Sequence, residues 1–189
     1  MKTILPLLFL TTLAGCDAIT PAGLMAAARL DPLTTAPEHV ALAVTVPDTV
    51  RLRSGDAVLS LAFRAEGADM PAVSETVPLM IAPATTASPG TRRYVARIAP
   101  ADAPRLVAAQ TAIRALRASG TMGAGSLGVS VERGCTTAPL GRSLPISTAI
   151  RTDPEAPFVP LTRSVDAFDR LSPAEAAALR ARFAPCDAS

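Results

Sequence analysis

The sequence predicts an α+β fold resting on a mainly antiparallel β-sheet, and three observations predict it. Several segments alternate apolar and polar residues with period two, the mark of half-buried strands. One later segment, 102–119, instead repeats its apolar residues at spacings of three and four, as an amphipathic helix does. A second helix signal, 173–184, closes the chain. Strands that follow one another with only short turns between them pair antiparallel, and the helices then cover the sheet. A β-sandwich with an added helix is the rival arrangement.

Taken in order, Val40, Leu42, Val44 and Val46 share one face of a strand over 39–46. Leu59, Leu61 and Phe63 share a face within 57–64, as do Val77, Leu79 and Ile81, and then Tyr94, Ala96 and Ile98. Pro78 lacks a ladder donor, which places its strand at an edge or keeps it short. Turn signals separate these strands at Pro47-Asp48, Ser54-Gly55-Asp56, 67–71 and 87–90. In the helix, Asp102 is the expected N-cap and Gly120 the stop, with Leu106, Ala109, Ile113 and Leu116 along the stripe. Arg105 and Arg117 border that stripe, where their stems cover apolar surface. A strand over 126–132 follows, with Leu127, Val129 and Val131 on one face. Leu61, Phe63, Ile113, Leu116 and Val129 are expected to be buried together. Extended pieces at 144–150 and 158–162 come next. Ser172-Pro173-Ala174-Glu175 then forms a capping box with Pro at the first helical position. Leu179 and Phe183 share a face of that helix, and Pro185 ends it.

The first residues serve targeting. Met1-Lys2 is a short positive start, 4–10 is apolar apart from Pro6, and small residues follow, which describes a signal peptide over 1–15. The apolar run is far below the roughly 20 residues that span a bilayer. Leu13-Ala14-Gly15-Cys16 resembles the lipobox of bacterial lipoproteins. That resemblance implies a diacylglycerol on the Cys16 thiol, cleavage before Cys16 and acylation of the new amine. It implies a protein held in the cell envelope by its lipid and facing the periplasm. Asp17 resembles the enteric signal for inner-membrane retention, a rule that does not extend to all bacteria, so either membrane fits. Residues 16–38 then form a lipidated tether or arm, with a short helix over 24–30, and 39–189 a single α+β domain. This part is similar to small, Ala- and Arg-rich proteobacterial lipoproteins of unknown function, which supplies a location and no activity.

Composition excludes some functions. Against 16 Asp+Glu stand 18 Lys+Arg, a net charge of +2, which argues against nucleic acid as a partner. Aromatics are 3% and Trp is absent, which disfavours sugar and nucleobase sites but leaves small apolar ligands open. Gly123-Ala124-Gly125-Ser126-Leu127-Gly128 matches G-x-G-x-x-G in form, but a dinucleotide site needs a strand before it and a helix after it. Here the order is reversed, so the segment reads as a helix-to-strand connection. His39, the one histidine, has no ligand-like spacing around it and reads as a surface residue. Ser126 and Ser130 lack the G-x-S-x-G context of a nucleophile. Asp166 and Asp169 lie three apart and could share a helix face, more simply as solvated or capping groups.

Arg51 and Arg53, then Arg93 and Arg97, lie on one side of their strands. Arg93 and Arg97 are the candidate anion-binding pair. With Cys16 lipidated, Cys135 and Cys186 remain as an even pair in a compartment that permits disulfides. A structural bond tying the last helix to the domain is expected, over two free thiols or a redox pair. These readings give no catalytic residues, no metal and no cofactor. They lead to a non-catalytic, lipid-anchored envelope protein acting through contacts with another envelope protein. A lipid-anchored binding protein for a small or anionic ligand is the alternative.

Overall fold

The structure, a computed structural model, describes residues 33–169 and 171–186. The signal peptide, Cys16 and the 24–30 segment lie outside the described residues. A 3-10 turn at Pro37–His39 leads into β1 (Ala41–Pro47), and β2 (Val50–Arg51), β3 (Ala57–Ala65) and β4 (Val73–Ile81) follow. After β5 (Thr85–Ser88) and β6 (Thr91–Ile98) comes helix α1 (Ala103–Ala118), then β7 (Gly123–Val131) and β8 (Gly134–Thr136). The chain ends with β9 (Pro145–Arg151), β10 (Val159–Asp166), helix α2 (Pro173–Ala181) and β11 (Phe183–Pro185). The α+β reading holds.

The main sheet is antiparallel throughout, in the order β10-β9-β1-β6-β4-β3-β7, with β5 beside the start of β6. A small second sheet has the order β11-β8-β2. The rival sandwich is not formed: the main sheet curls, and its inner face carries the core. Alternation decides which residues face inward. Leu42, Val44 and Val46 of β1, Leu59, Leu61 and Phe63 of β3, and Tyr94 and Ala96 of β6 are all buried on that face. Helix α1 covers one half of it with Leu106, Ala109 and Ile113. Each large aliphatic chain so buried contributes about 1.5–3 kcal/mol. Leu116 and Val129 pack against this cluster only partly buried, so the expected core group is assembled with two members at its border. Phe168, Ala176 of α2, Phe183 and Leu144 cover the other half, over Val44, Val46 and Tyr94.

Pro78 was expected at an edge, yet β4 lies inside the sheet and runs nine residues. The reason is a change of partner. β4 pairs with β3 through Val73 to Pro78 and with β6 only through Leu79 to Ile81. The missing donor falls where one ladder is released and the other begins.

Helix α1 starts and stops where expected, but its cap is made differently. The Asp102 side chain makes no hydrogen bond to the helix N-terminus and instead binds Arg105 at 2.9 Å. Arg105 also reaches Glu75 of β4 at 2.5 Å, which fastens the start of α1 to the sheet. At the other end Gly120 takes φ +85, and the Thr121 N–H donates to the Leu116 carbonyl, closing the helix in a Schellman turn. Arg117 lies over the Phe63 ring, 5.7 Å from its centroid.

The capping box of α2 is formed: the Glu175 N–H donates to Ser172 Oγ, and the Ser172 N–H donates to the Glu175 carboxylate. The helix is shorter than expected. It ends at Ala181, and Phe183 belongs to β11, whose strand pairs in parallel with β8. Burial of Phe183 beneath the helix and pairing with β8 outcompete another helical turn.

Candidate functional site

The curl brings the two ends of the main sheet to one side of the molecule. There β7, β9, β10 and α2 border an open groove of about 580 Å³. Its floor is aliphatic: Val129 and Val131 come from β7, Ile146 from β9, Val165 from β10, and Leu171 and Leu179 from the α2 region. Alternation on β7 and β9, with a register shift in β10 between Thr162 and Val165, turns these residues inward, and the helical spacing of α2 turns Leu179 toward them.

The groove's rim is polar, and its groups already have partners in the chain. Ser130 Oγ donates to Glu132 at 2.7 Å, and Arg182 reaches the other Glu132 oxygen at 3.2 Å. The hydroxyls of Thr148 and Thr162 pair at 2.9 Å. Glu175 is held by the backbone and hydroxyl of Ser172, which keep its carboxyl below the ordinary glutamate range. A site made this way is suited to taking up an apolar object. A smaller void of about 20 Å³ lies between α1 and the sheet beside Leu59, Leu61 and Leu106, room for about one water.

The free edge of β7 reaches the groove at its C-terminal end, residues 129–131. Among the described residues, β7 pairs with β3 on one side and with no strand on the other. Leu127 in its middle is 36% exposed. The sequence reading placed a loop at 123–125, but the strand already begins at Gly123. A Cβ there would lie 2.3 Å from the Arg64 carbonyl oxygen and 2.8 Å from Phe63, so glycine lets the two backbones close up early. The G-x-G-x-x-G segment is therefore strand, with no helix N-terminus to receive a phosphate.

The other candidates are dispersed. Arg93 and Arg97 are exposed on the outer face of β6, four residues apart and outside the groove lining. They do not converge on a cavity. Arg51 turns back to the carbonyls of Asp48 and Val50. His39 is exposed in the 3-10 turn. Among the described residues, no group of three His, Cys, Asp or Glu side chains is placed to hold a metal ion.

Asp166 and Asp169 share no helix: Asp166 ends β10, and one of its oxygens accepts the N–H groups of Leu144 at 2.9 Å and Phe168 at 3.0 Å. Burial pushes its pKa up. These two backbone bonds, with help from Ser143 and Arg180, outweigh that and hold it below the usual range.

Cys135 of β8 and Cys186 after β11 lie at bonding distance, with Sγ–Sγ 2.06 Å. The pair ties the chain end to the small sheet beside the groove.

Sequence reasoning missed the groove and the open β7 edge, since both depend on how far the sheet curls. It also missed Asp56, a buried carboxylate that accepts the Arg53 N–H at 2.7 Å and Arg133 Nε at 3.1 Å. The Ser54-Gly55-Asp56 turn signal was the available clue to it. Comparison with protein-family models, with curated proteins and with solved structures finds no match to this chain.

Proposed function

We propose that this chain is a lipid-anchored, non-catalytic protein of the bacterial cell envelope, facing the periplasm, that acts by taking up a strand of a partner protein at the open side of its sheet. The observation that carries this reading is the unpaired edge of β7 lying beside an aliphatic groove. Strand addition uses those two parts together: edge N–H and C=O groups supply a ladder, and a neighbouring groove receives alternate side chains. The lipobox at Cys16 supports the anchor.

Site-directed photo-cross-linking in intact cells tests the contact. A photoreactive residue at Gly128, on the β7 edge, is expected to give a discrete protein adduct. The same residue at Arg97, on the outer face, is expected to give much less. A charge on the edge, Ser126→Lys, should suppress the Gly128 adduct. Equal adducts from both positions would refute the reading.

The groove volume favours one second reading. About 580 Å³ falls within the roughly 300–1,000 Å³ of small-molecule sites, so a small apolar ligand is the rival occupant. A fluorescent apolar probe that binds the purified chain and loses affinity in Val131→Lys, with Gly128 adducts absent, would favour it.

A further inference from the structure

We infer that the outer face of the main sheet rests on an anionic phospholipid surface, with Arg93, Arg97 and Arg151 set against headgroup phosphates. This rests on the lipid-anchored reading and adds how the domain sits on its membrane. The first ground is a segregation of charge that the near-neutral whole conceals. Strands β1, β5, β6 and β9 carry Arg92, Arg93, Arg97 and Arg151 and not one acidic residue. The acids that form ion pairs, Glu75, Asp102, Asp56 and Glu132, take Arg105, Arg133 and Arg182 from other parts of the fold. Among the described residues, no carboxylate pairs with Arg93, Arg97 or Arg151.

Register gathers these three arginines on one face. In β6, alternation buries Tyr94, Ala96 and Ile98 and turns Arg93 and Arg97 outward, where both are exposed. In β9 it turns Ile146 and Thr148 toward the groove and Arg151 to the opposite side. Ala41 of β1 pairs with Arg151 on one side and Arg97 on the other, and Arg97 pairs in turn with Met80 of β4. Arg151 and Arg97 thus stand in one row, their Cα atoms about 10 Å apart with only an alanine between them. Arg93 lies about 13 Å further along β6. The outward positions of β1 are Ala41, Ala43 and Thr45, too short to stand between the guanidinium groups. Both helices pack on the inner face, which leaves the outer one to whatever meets the domain from outside.

Two features favour a bilayer over a soluble anion or an acidic protein. The row of arginines ends in apolar side chains: Met80 is 44% exposed, and the Arg151 guanidinium lies 4.6 Å from the centroid of the Phe158 ring. Guanidinium groups flanked by apolar side chains match a surface where anionic headgroups overlie acyl chains. The second feature is where the anchor enters. β1 begins in this same row, at Ala41, so the arm from Cys16 joins the sheet at the basic end of the face. Even fully extended, the chain from Cys16 to Leu33 spans at most about 60 Å. That tether makes docking an intramolecular event, for which weak phosphate contacts suffice. Docked on this face, the domain turns its groove away from the bilayer.

Fluorescence quenching tests this on the full chain, isolated from membranes and reconstituted in vesicles that carry headgroup spin labels. An environment-sensitive fluorophore is attached through Ser147→Cys, on the outer face, or through Val107→Cys, on the exposed side of α1. In vesicles of phosphatidylglycerol with phosphatidylcholine, quenching at Ser147 should exceed that at Val107 several-fold. It should fall to the Val107 level in phosphatidylcholine alone, and in molar salt, where screening shortens the reach of charge to about 3 Å. Arg93→Glu together with Arg97→Glu should abolish the difference, and Lys at both positions should keep most of it. Salt and lipid composition act on unaltered arginines, so no folding defect can imitate their effect. Equal quenching at the two positions, or quenching at Ser147 that ignores salt and lipid charge, would overturn the inference. So would a Ser147 probe that anionic vesicles leave unquenched while soluble polyglutamate shifts its emission, the sign of an acidic protein partner. If the chain sediments with both kinds of vesicle and Ser147 stays unquenched, the anchor stands and only the face is wrong. If it stays in solution with neutral vesicles yet is quenched at Ser147 by anionic ones, the face is right and the anchor reading falls.

Discussion

At Gly123 and Gly128 the same amino acid answers to different neighbours. The first sits where a Cβ would strike the Arg64 backbone, and the second has open space around it. Gly123→Ala should therefore cost about 1–3 kcal/mol, the usual range for overpacking. Gly128→Ala should stay within about 0.5 kcal/mol, as for an exposed substitution. Urea denaturation checks the pair, and equal costs would contradict the close approach. Ile113, 1% exposed beneath α1, should cost about 2–5 kcal/mol when cut to Ala. Asp166 makes a pH prediction. Its folded pKa is lowered, so its stabilising effect is complete above the unfolded carboxyl value of about 3.9 and disappears as pH falls through the folded value. Asp166→Asn should thus be less stable than the parent chain at neutral pH. The gap should close below about pH 4 as the parent's carboxylate takes up its proton.

Among the elements, the C-terminal unit depends most on contacts remote in sequence. Helix α2 spans Pro173–Ala181, two and a half turns, too short to be stable by itself in water. Its capping box, the burial of Ala176 and the strand β11 behind it hold it in place. The Cys135–Cys186 bond closes a sequence separation of 51 residues at its far end. Reducing the bond should lower stability by about 2–5 kcal/mol. Protection of amide hydrogens should fall first in β11 and α2. Uniform loss of protection across β1 and β6 as well would show that this unit is not a separate cooperative layer. The period-two pattern identified β1, β3 and β6 to within a few residues, because alternate large side chains of each are turned into the core. β2, β8 and β11 left no such pattern. They are two or three residues long, and their pairing is set by the chain crossing between distant turns.

For the molecule as a whole, one curled sheet must hide its inner face, and two helices of different length do so from opposite halves. The groove is what they leave uncovered between β7 and β10. Attachment to the envelope would come from outside this layer, through Cys16. Metabolic labelling with a fatty-acid analogue should mark the wild-type chain and leave Cys16→Ser unlabelled. Equal label on both would refute the anchor.

The sequence by itself determined the α+β class, the inward residues of the long strands, both helix starts and the cysteine pair. Local steric preference and alternating burial act over a few residues, and their marks can be read there. Cys135 and Cys186 were an even remainder that their distance in the fold then joined. Tertiary structure alone decided that Pro78 sits inside the sheet, that Phe183 leaves the helix, and that β7 keeps a bare edge. Each of these depends on which strands become neighbours. That choice is made by the total burial of the inner face, a sum over contacts far apart in the chain that no short window of residues contains.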